Sequence, residues 1–228
     1  MDFPYRIERT RNRTSSALFE GDGVLIRLAG RLSAREEQRH IASLLKRMAR
    51  RYADHRASQV IDPFRPLIRG NGIFPIALSD GTTQIFVIED GKRTSAQKSE
   101  QGWSVRRGTK STDTDFRKFL WRAMSVSVQP QMEEEVRRIN ALTFGARVTQ
   151  VKLRHMLRRF GSCGPEGRIT LNTALLFVPV ELRTYVIIHE LAHILHSDHS
   201  RAFWASVESV LPAYKEYRKT LQTYRLSD

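Results

Sequence analysis

One segment constrains this chain more than any other: Val186-Ile187-Ile188-His189-Glu190-Leu191-Ala192-His193-Ile194-Leu195-His196-Ser197-Asp198-His199. On a helix, His189 and His193 lie one turn apart on the same face, where both imidazoles reach one metal ion. Glu190 is rotated away by about a hundred degrees and reaches a metal-bound water instead. The surrounding positions, Tyr185 to Ile188 and Leu191-Ala192, are mostly apolar. Burying unligated polar side chains among them would be costly, so a metal site is expected rather than a chance pattern on an exposed helix. Zinc with neutral imidazole ligands keeps an open position, lowers the pKa of its bound water and polarises a peptide carbonyl. The expected cofactor is therefore Zn2+, with Glu190 taking the water's proton and passing it to the leaving amine.

Two histidines leave the site incomplete, and both His196 and His199 lie downstream. On an unbroken helix His196 would stand roughly 10 Å along the axis from His189, too far for a common ion. His199 needs the chain to turn back. Ser197 and Asp198 are poor helix formers and good caps, so a helix ending near His196 and a new one starting around Asp198 to Ser200 would swing His199 towards the metal. His199 is the preferred third ligand. His40, His55 and His155 have no partner at ligand spacing and read as ordinary core or surface residues.

The rest of the chain reads as α+β. Strand-like alternation from Tyr5 to Leu28 is broken by the turn sequence Gly21-Asp22-Gly23, which predicts a hairpin. Ser33 and Glu36 form a capping-box pair, and Ile41, Leu44, Leu45 and Met48 recur at helical spacing, so an amphipathic helix is expected from Ser33 to about Tyr52. Strand signals follow at Ile73 to Leu78, Gln84 to Ile88 and Trp103 to Arg106. The polar stretch Lys110 to Asp115 is the expected boundary, dividing the chain into a β-rich N-terminal region, 1–112, and a catalytic domain, 113–228. A long helix is expected from Phe116 towards Leu142, kinked or divided at Pro130 and closed by Gly145. Arg147 to Leu153 and Arg168 to Leu171 read as a hairpin-like pair flanking the loop Gly161-Ser162-Cys163-Gly164-Pro165. Helices are expected at Val180 to about Leu195, Ala202 to Leu211 and Ala213 to Leu221, the last two separated at Pro212.

Composition narrows the functional classes. Cys163 is the only cysteine, which excludes an intramolecular disulfide framework and a zinc site built on paired thiolates, and fits a reducing cytoplasm. Its flanks offer no adjacent base, so it reads as a small buried residue in a turn rather than a nucleophile. Charged residues between Met1 and Thr10 exclude the apolar core of a signal peptide, and no stretch has the apolar length to cross a bilayer. A cytoplasmic protein without membrane contact is expected; nothing in the sequence sets its oligomeric state. The 38 Lys and Arg against 24 Asp and Glu give a formal charge of +14. An acidic partner such as nucleic acid is compatible with this, as is a basic balance that only keeps the protein soluble. Both readings stay open for the helix bearing Arg35, Arg39, Lys46, Arg47, Arg50 and Arg51.

Four stretches carry a resemblance: Phe160-Gly161-Ser162-Cys163, Arg168-Ile169-Thr170-Leu171-Asn172, Tyr185 to His193, and Asp198-His199-Ser200-Arg201-Ala202-Phe203-Trp204. Together they resemble the YgjP-like metallopeptidases, relatives of the SprT and WLM proteases. A looser likeness covers Tyr5 to Arg9 and the helix after Leu32, and the middle β-rich region matches least. The resemblance implies a zincin-like fold, with His189, His193 and His199 as ligands and Glu190 as general base. Phe160 departs from the tryptophan usual in the family, a change that keeps an aromatic. Metzincins share the ligand spacing but carry glycine where this chain has His196, and no counterpart of their methionine turn is found.

In zincins a strand beside the active-site helix pairs with extended substrate, and Arg168 to Asn172 is the candidate, unless it is an interior strand with no free edge. Arg159 and Tyr185 are candidates for stabilising the oxyanion or, equally, for packing or surface charge. The leading expectation is thus a zinc endopeptidase acting on protein or peptide, with nucleic-acid-associated protein as a compatible substrate. The alternatives are a nucleic-acid-binding or regulatory module with a mainly structural zinc, and an enzyme held latent by its N-terminal region.

Overall fold

The structure is a computed structural model that describes residues 3–20 and 23–226, with the backbone alone for residues 54 and 55. The expected turn at Gly21-Asp22 and the reading of His55 lie outside what is described. The described residues form two compact units, one up to residue 59 and one from residue 60 to 226.

In the first unit, β1 (Tyr5–Arg9), β2 (Ser16–Glu20) and β3 (Gly23–Leu28) form a sheet in the order β1-β3-β2, followed by α1 (Ala34–Ala57). Strand β2 is antiparallel to β3, as the hairpin pattern predicts, and β1 is parallel to it. Helix α1 starts where the capping box places it: the Ser33 N–H donates to Glu36 Oε2 at 2.8 Å, and the Glu36 N–H to Ser33 Oγ at 3.4 Å. Its apolar stripe, Leu44, Leu45 and Met48, packs with Val24, Ile26 and Leu28 of β3 in a small core. The six cationic residues singled out on α1 are all exposed.

The second unit contains β4 (Gln59–Ile61), β5 (Gly72–Ala77), β6 (Thr83–Gly91), β7 (Ser95–Ser99) and β8 (Gly102–Gly108), then α2 (Asp113–Leu142). Strands β5 to β8 form one sheet in the order β5-β6-β8-β7. The division between compact units thus falls at 59/60 rather than at the expected 112/113, and the reason is packing. Phe86, Trp103 and Val105 of the sheet share one core with Phe116, Leu120 and Trp121 of α2, with Phe64 edge-on to Trp121 at 4.9 Å. The polar stretch before α2 is its cap, in which Thr112 Oγ1 accepts from the Asp115 N–H at 3.1 Å. Helix α2 also runs unbroken through Pro130, which is exposed, so the expected division there does not occur.

After α2 come β9 (Gln150–Arg154), β10 (Gly161–Gly164) and β11 (Arg168–Asn172), ordered β10-β11-β9. This corrects the expected hairpin: β9 and β11 are parallel, and the hairpin partner of β11 is the Gly-Ser-Cys-Gly stretch expected to be a loop. Strand β11 is interior and hydrogen-bonded on both sides, so it is unavailable to a substrate. On the outer edge of β9 the Gln129 amide acts like a strand backbone: Nε2 donates to the Val151 carbonyl at 2.7 Å, and Oε1 accepts from the Leu153 N–H at 2.7 Å. The edge left over is β10.

The chain closes with α3 (Val180–Leu195), α4 (Arg201–Val210), α5 (Tyr214–Leu221) and β12 (Tyr224–Leu226), which pairs with β4. Leu182, Val186, Ile187, Ile188 and Leu191 bury α3 in the core shared with α2 and β11. Arg183 is buried as well, with its charge met by Glu135 at 3.0 Å and its fork by Ser79 Oγ at 3.2 Å. No helix among the described residues is long and apolar enough to cross a membrane.

Candidate metal centre and active-site cleft

Helix α3 carries His189 and His193 on one face and ends at Leu195; His196 takes an extended conformation as its C-cap. The chain then turns back, and Ser200 caps α4 by accepting from the Phe203 N–H at 3.4 Å. This break brings His199 to the other two histidines. His189, His193 and His199 each offer a ring nitrogen, all within 4.8 Å of one another, and form the only such cluster among the described residues. The Nε2 atoms of His189 and His199 are 3.1 Å apart, close to the roughly 3.3 Å that two ligands at zinc–nitrogen distance subtend in a tetrahedron.

The surroundings of the cluster suit a cation. The Nδ1–H of His193 donates to the His196 carbonyl at 3.1 Å, which fixes its tautomer and leaves Nε2 for the cluster. The imidazole of His196 itself turns to Ser206 Oγ at 3.0 Å. Burial pushes the pKa of His189 down to about 3, helped by the neighbouring His193 and His199, and burial with the neighbouring His193 and Arg218 lowers that of His199. Neutral imidazole is the form that ligates. His189 Nδ1 is buried with no partner. On the outer side Trp204 stacks on His199 at 5.6 Å, and Arg218 of α5 lies over the Trp204 ring at 4.8 Å.

Glu190, one residue along α3 from His189, lines the same cleft of about 1170 Å³ as the three histidines. Strand β10 forms one wall, with Arg147, Thr149, Arg159 and Glu166 at its ends. Only 5% of Glu190 is exposed, and burial raises its carboxyl pKa to about 7, against the opposing effects of the Cys163 N–H, which it accepts, and the charge of Arg159. A carboxyl poised near neutrality is what a general base requires. The Asn172 N–H donates to the Phe160 carbonyl at 2.8 Å, and antiparallel alternation then turns the N–H and C=O of Gly161 and Cys163 outward, towards the cleft.

Of the two oxyanion candidates, Arg159 lines the cleft. Tyr185 does not; it is buried, 5.9 Å from the His189 ring, and burial pushes its hydroxyl up to about 12. Cys163 sits in strand β10 rather than in a turn, and burial together with the charge of Glu190 raises its thiol pKa, which makes it a poor nucleophile. His155 stacks on Trp121 at 4.2 Å, and His40 Nδ1 bonds Ser15 Oγ at 2.8 Å, both remote from the cluster. Sequence reasoning missed Gly161, Arg147 and Asn172, whose roles depend on which strands meet.

Three convergent imidazoles beside a buried, near-neutral carboxyl, in an open cleft bounded by a strand edge, are an arrangement that suits a metal-dependent peptidase. The chain belongs to the YgjP-like family, whose model, described as YgjP-like, metallopeptidase domain, matches residues 13–224. It is also similar to the crystal structure of the metallopeptidase zymogen of Pyrococcus abyssi abylysin, with 31% identity and a TM-score of 0.37, covering 40% of this chain and 91% of that one. No curated protein matches the chain.

Proposed function

We propose that this metallopeptidase is a zinc endopeptidase of zincin-like construction, in which His189, His193 and His199 hold the ion and Glu190 is the general base. The observation that carries the reading is the Glu190 carboxyl, buried beside three convergent imidazoles with its pKa raised to about 7. When bound, zinc supplies Lewis acidity, which brings a water near ionisation at neutral pH and polarises the substrate carbonyl. Glu190 accepts the proton of the attacking water and returns it to the leaving amine nitrogen. Burial keeps that carboxylate a strong enough base, and the Cys163 N–H holds it in place.

The substrate strand lies along β10 instead of β11. The Gly161 N–H and C=O and the Cys163 C=O offer backbone pairing, and the small side chains of Gly161, Ser162, Cys163 and Gly164 leave room for an extended peptide. Arg159, at the near end of β10, is the cation placed to favour developing negative charge in the cleft.

The test is cleavage of an unfolded protein by zinc-loaded wild type and zinc-loaded Glu190→Gln. Cleavage by the wild type with a loss of about 10²-fold or more in the variant is expected; equal rates in both proteins would exclude Glu190 as the base. Nucleic-acid-associated protein is a second reading of the substrate, favoured by the exposed cationic residues of α1. Running the assay with and without single-stranded DNA tests it, and a rate indifferent to DNA argues against it.

A further inference from the structure

We propose that the cleft selects peptides carrying an acidic side chain within about three residues of the scissile bond, read by Arg147 and Arg159. The inference rests on the peptidase reading above and names the substrate class of that site. Apart from the three histidines and Glu190, the charged residues lining the cleft are Arg147, Arg159 and Glu166. Both guanidiniums are exposed, and among the described residues neither is ion-paired, with Glu166 or with any other carboxylate. Outside Glu190, whose ionised form the charge of Arg159 favours, the cleft wall carries two guanidiniums without an ion pair against one carboxylate.

Their placement follows the edge strand. Arg159 stands two residues before Gly161, the residue against Glu190, and so marks the end of β10 nearest the chemistry. From Gly161 to Gly164 an extended strand covers about 10 Å. Beyond Gly164 the chain turns through Pro165–Gly167, where the Gly167 carbonyl accepts from the Thr149 N–H at 3.1 Å, which brings the 147–149 segment to the far end of β10. Arg147 thus faces a peptide residue about three positions from the reacting carbonyl, and Arg159 one beside it. The strand between carries no side chain longer than cysteine or serine, so nothing shields a bound carboxylate from either guanidinium. Guanidinium grips carboxylate through paired N–H bonds, and displacement of cleft water by the peptide strengthens that grip.

The test uses the zinc-loaded full chain and a set of quenched fluorogenic peptides, identical except for Asp, Ala or Lys at each of the three positions on either side of the cleavable bond. Wild type, Arg147→Glu, Arg159→Glu and the remote control Lys110→Glu are compared by the ratio of kcat/KM for Asp over Lys peptides. We expect the wild type to favour Asp by about tenfold at one or two positions, each cleft variant to invert the preference at its own position, and the control to keep it. A ratio near one in the wild type, or a control that shifts as far as the cleft variants, overturns the proposal. Should no peptide be cleaved, the peptidase reading fails by itself, and fluorescence anisotropy of the same labelled peptides decides the cleft's selectivity. Tighter binding of Asp peptides that the cleft variants reverse supports it, and indifferent or absent binding refutes it.

Discussion

A β-carbon placed on Gly161 would stand 2.5 Å from Oε1 of Glu190 and 2.8 Å from its Cγ. The edge strand and the proposed base are in direct contact, with no space for even one methyl group between them. Gly161→Ala is therefore expected to push the carboxylate aside while leaving the core untouched, since Gly161 is half-buried at a sheet edge. A misplacement of this kind costs about 10²-fold in kcat. The check is kcat alongside zinc content and melting temperature; full activity in the variant would mean that Glu190 has freedom the structure does not show.

The acid limb of kcat/KM should report Glu190. Burial raises its pKa to about 7, and activity needs the ionised form, so the rate rises as pH climbs towards that value. Bound zinc draws the midpoint lower, because a nearby cation favours the charged form. The charge of Arg159 acts in the same direction, so Arg159→Gln should move the limb to higher pH. A limb that does not move in that variant would separate the arginine from the carboxylate.

The same carboxyl makes the metal-free protein less stable as pH rises from about 4.5 to about 7. A pKa raised in the folded state means that stability is fully present below the unfolded value of 4.5 and falls as pH rises through about 7. The loss amounts to about 3 kcal/mol once both states are ionised. Glu190→Gln removes the titrating group, so metal-free variant should unfold at a higher denaturant concentration than metal-free wild type at pH 8, with the gap closing at pH 4.

His196 and His199 can be separated by zinc stoichiometry. Only His199 places a ring nitrogen in the cluster, while His196 contributes its backbone carbonyl to His193 and its ring to Ser206. His199→Ala should bind zinc much more weakly in a chelator competition. His196→Ala should retain one zinc per chain, because alanine keeps the carbonyl.

Asn172 is expected to matter for stability as well as for the cleft. Its side chain is fully buried and donates to the carbonyls of Met156 and Arg159 at 2.7 and 2.8 Å, and its Oδ1 accepts from the Ala174 N–H at 3.1 Å. These bonds tie β11 to the segment that leads into β10. Asn172→Leu leaves buried backbone groups unpaired and should cost about 3 kcal/mol, read as a lower urea midpoint. A change below about 0.5 kcal/mol, the range of ordinary surface substitutions, would count against this role.

The features that were legible in the sequence are those held by local geometry. An apolar run with histidines four residues apart defined α3 and its histidine-bearing side, and the cap-forming Ser197 and Asp198 marked where that helix stops, close to the observed end at Leu195. The capping box at Ser33 and Glu36 likewise set the start of α1. These signals act over three or four residues, so neighbours in the chain suffice to read them. What required the tertiary structure was every question of pairing across distance. Gly161-Ser162-Cys163-Gly164 has weak strand propensity and reads as a loop, yet β11 holds it as the edge strand, which leaves β10 rather than β11 as the open edge. The polar stretch before α2 looks like a boundary, yet Trp103 and Trp121 share one core across it. Helix ends follow from local chemistry; strand order and unit boundaries follow from which apolar faces find each other, and no window of sequence contains both partners.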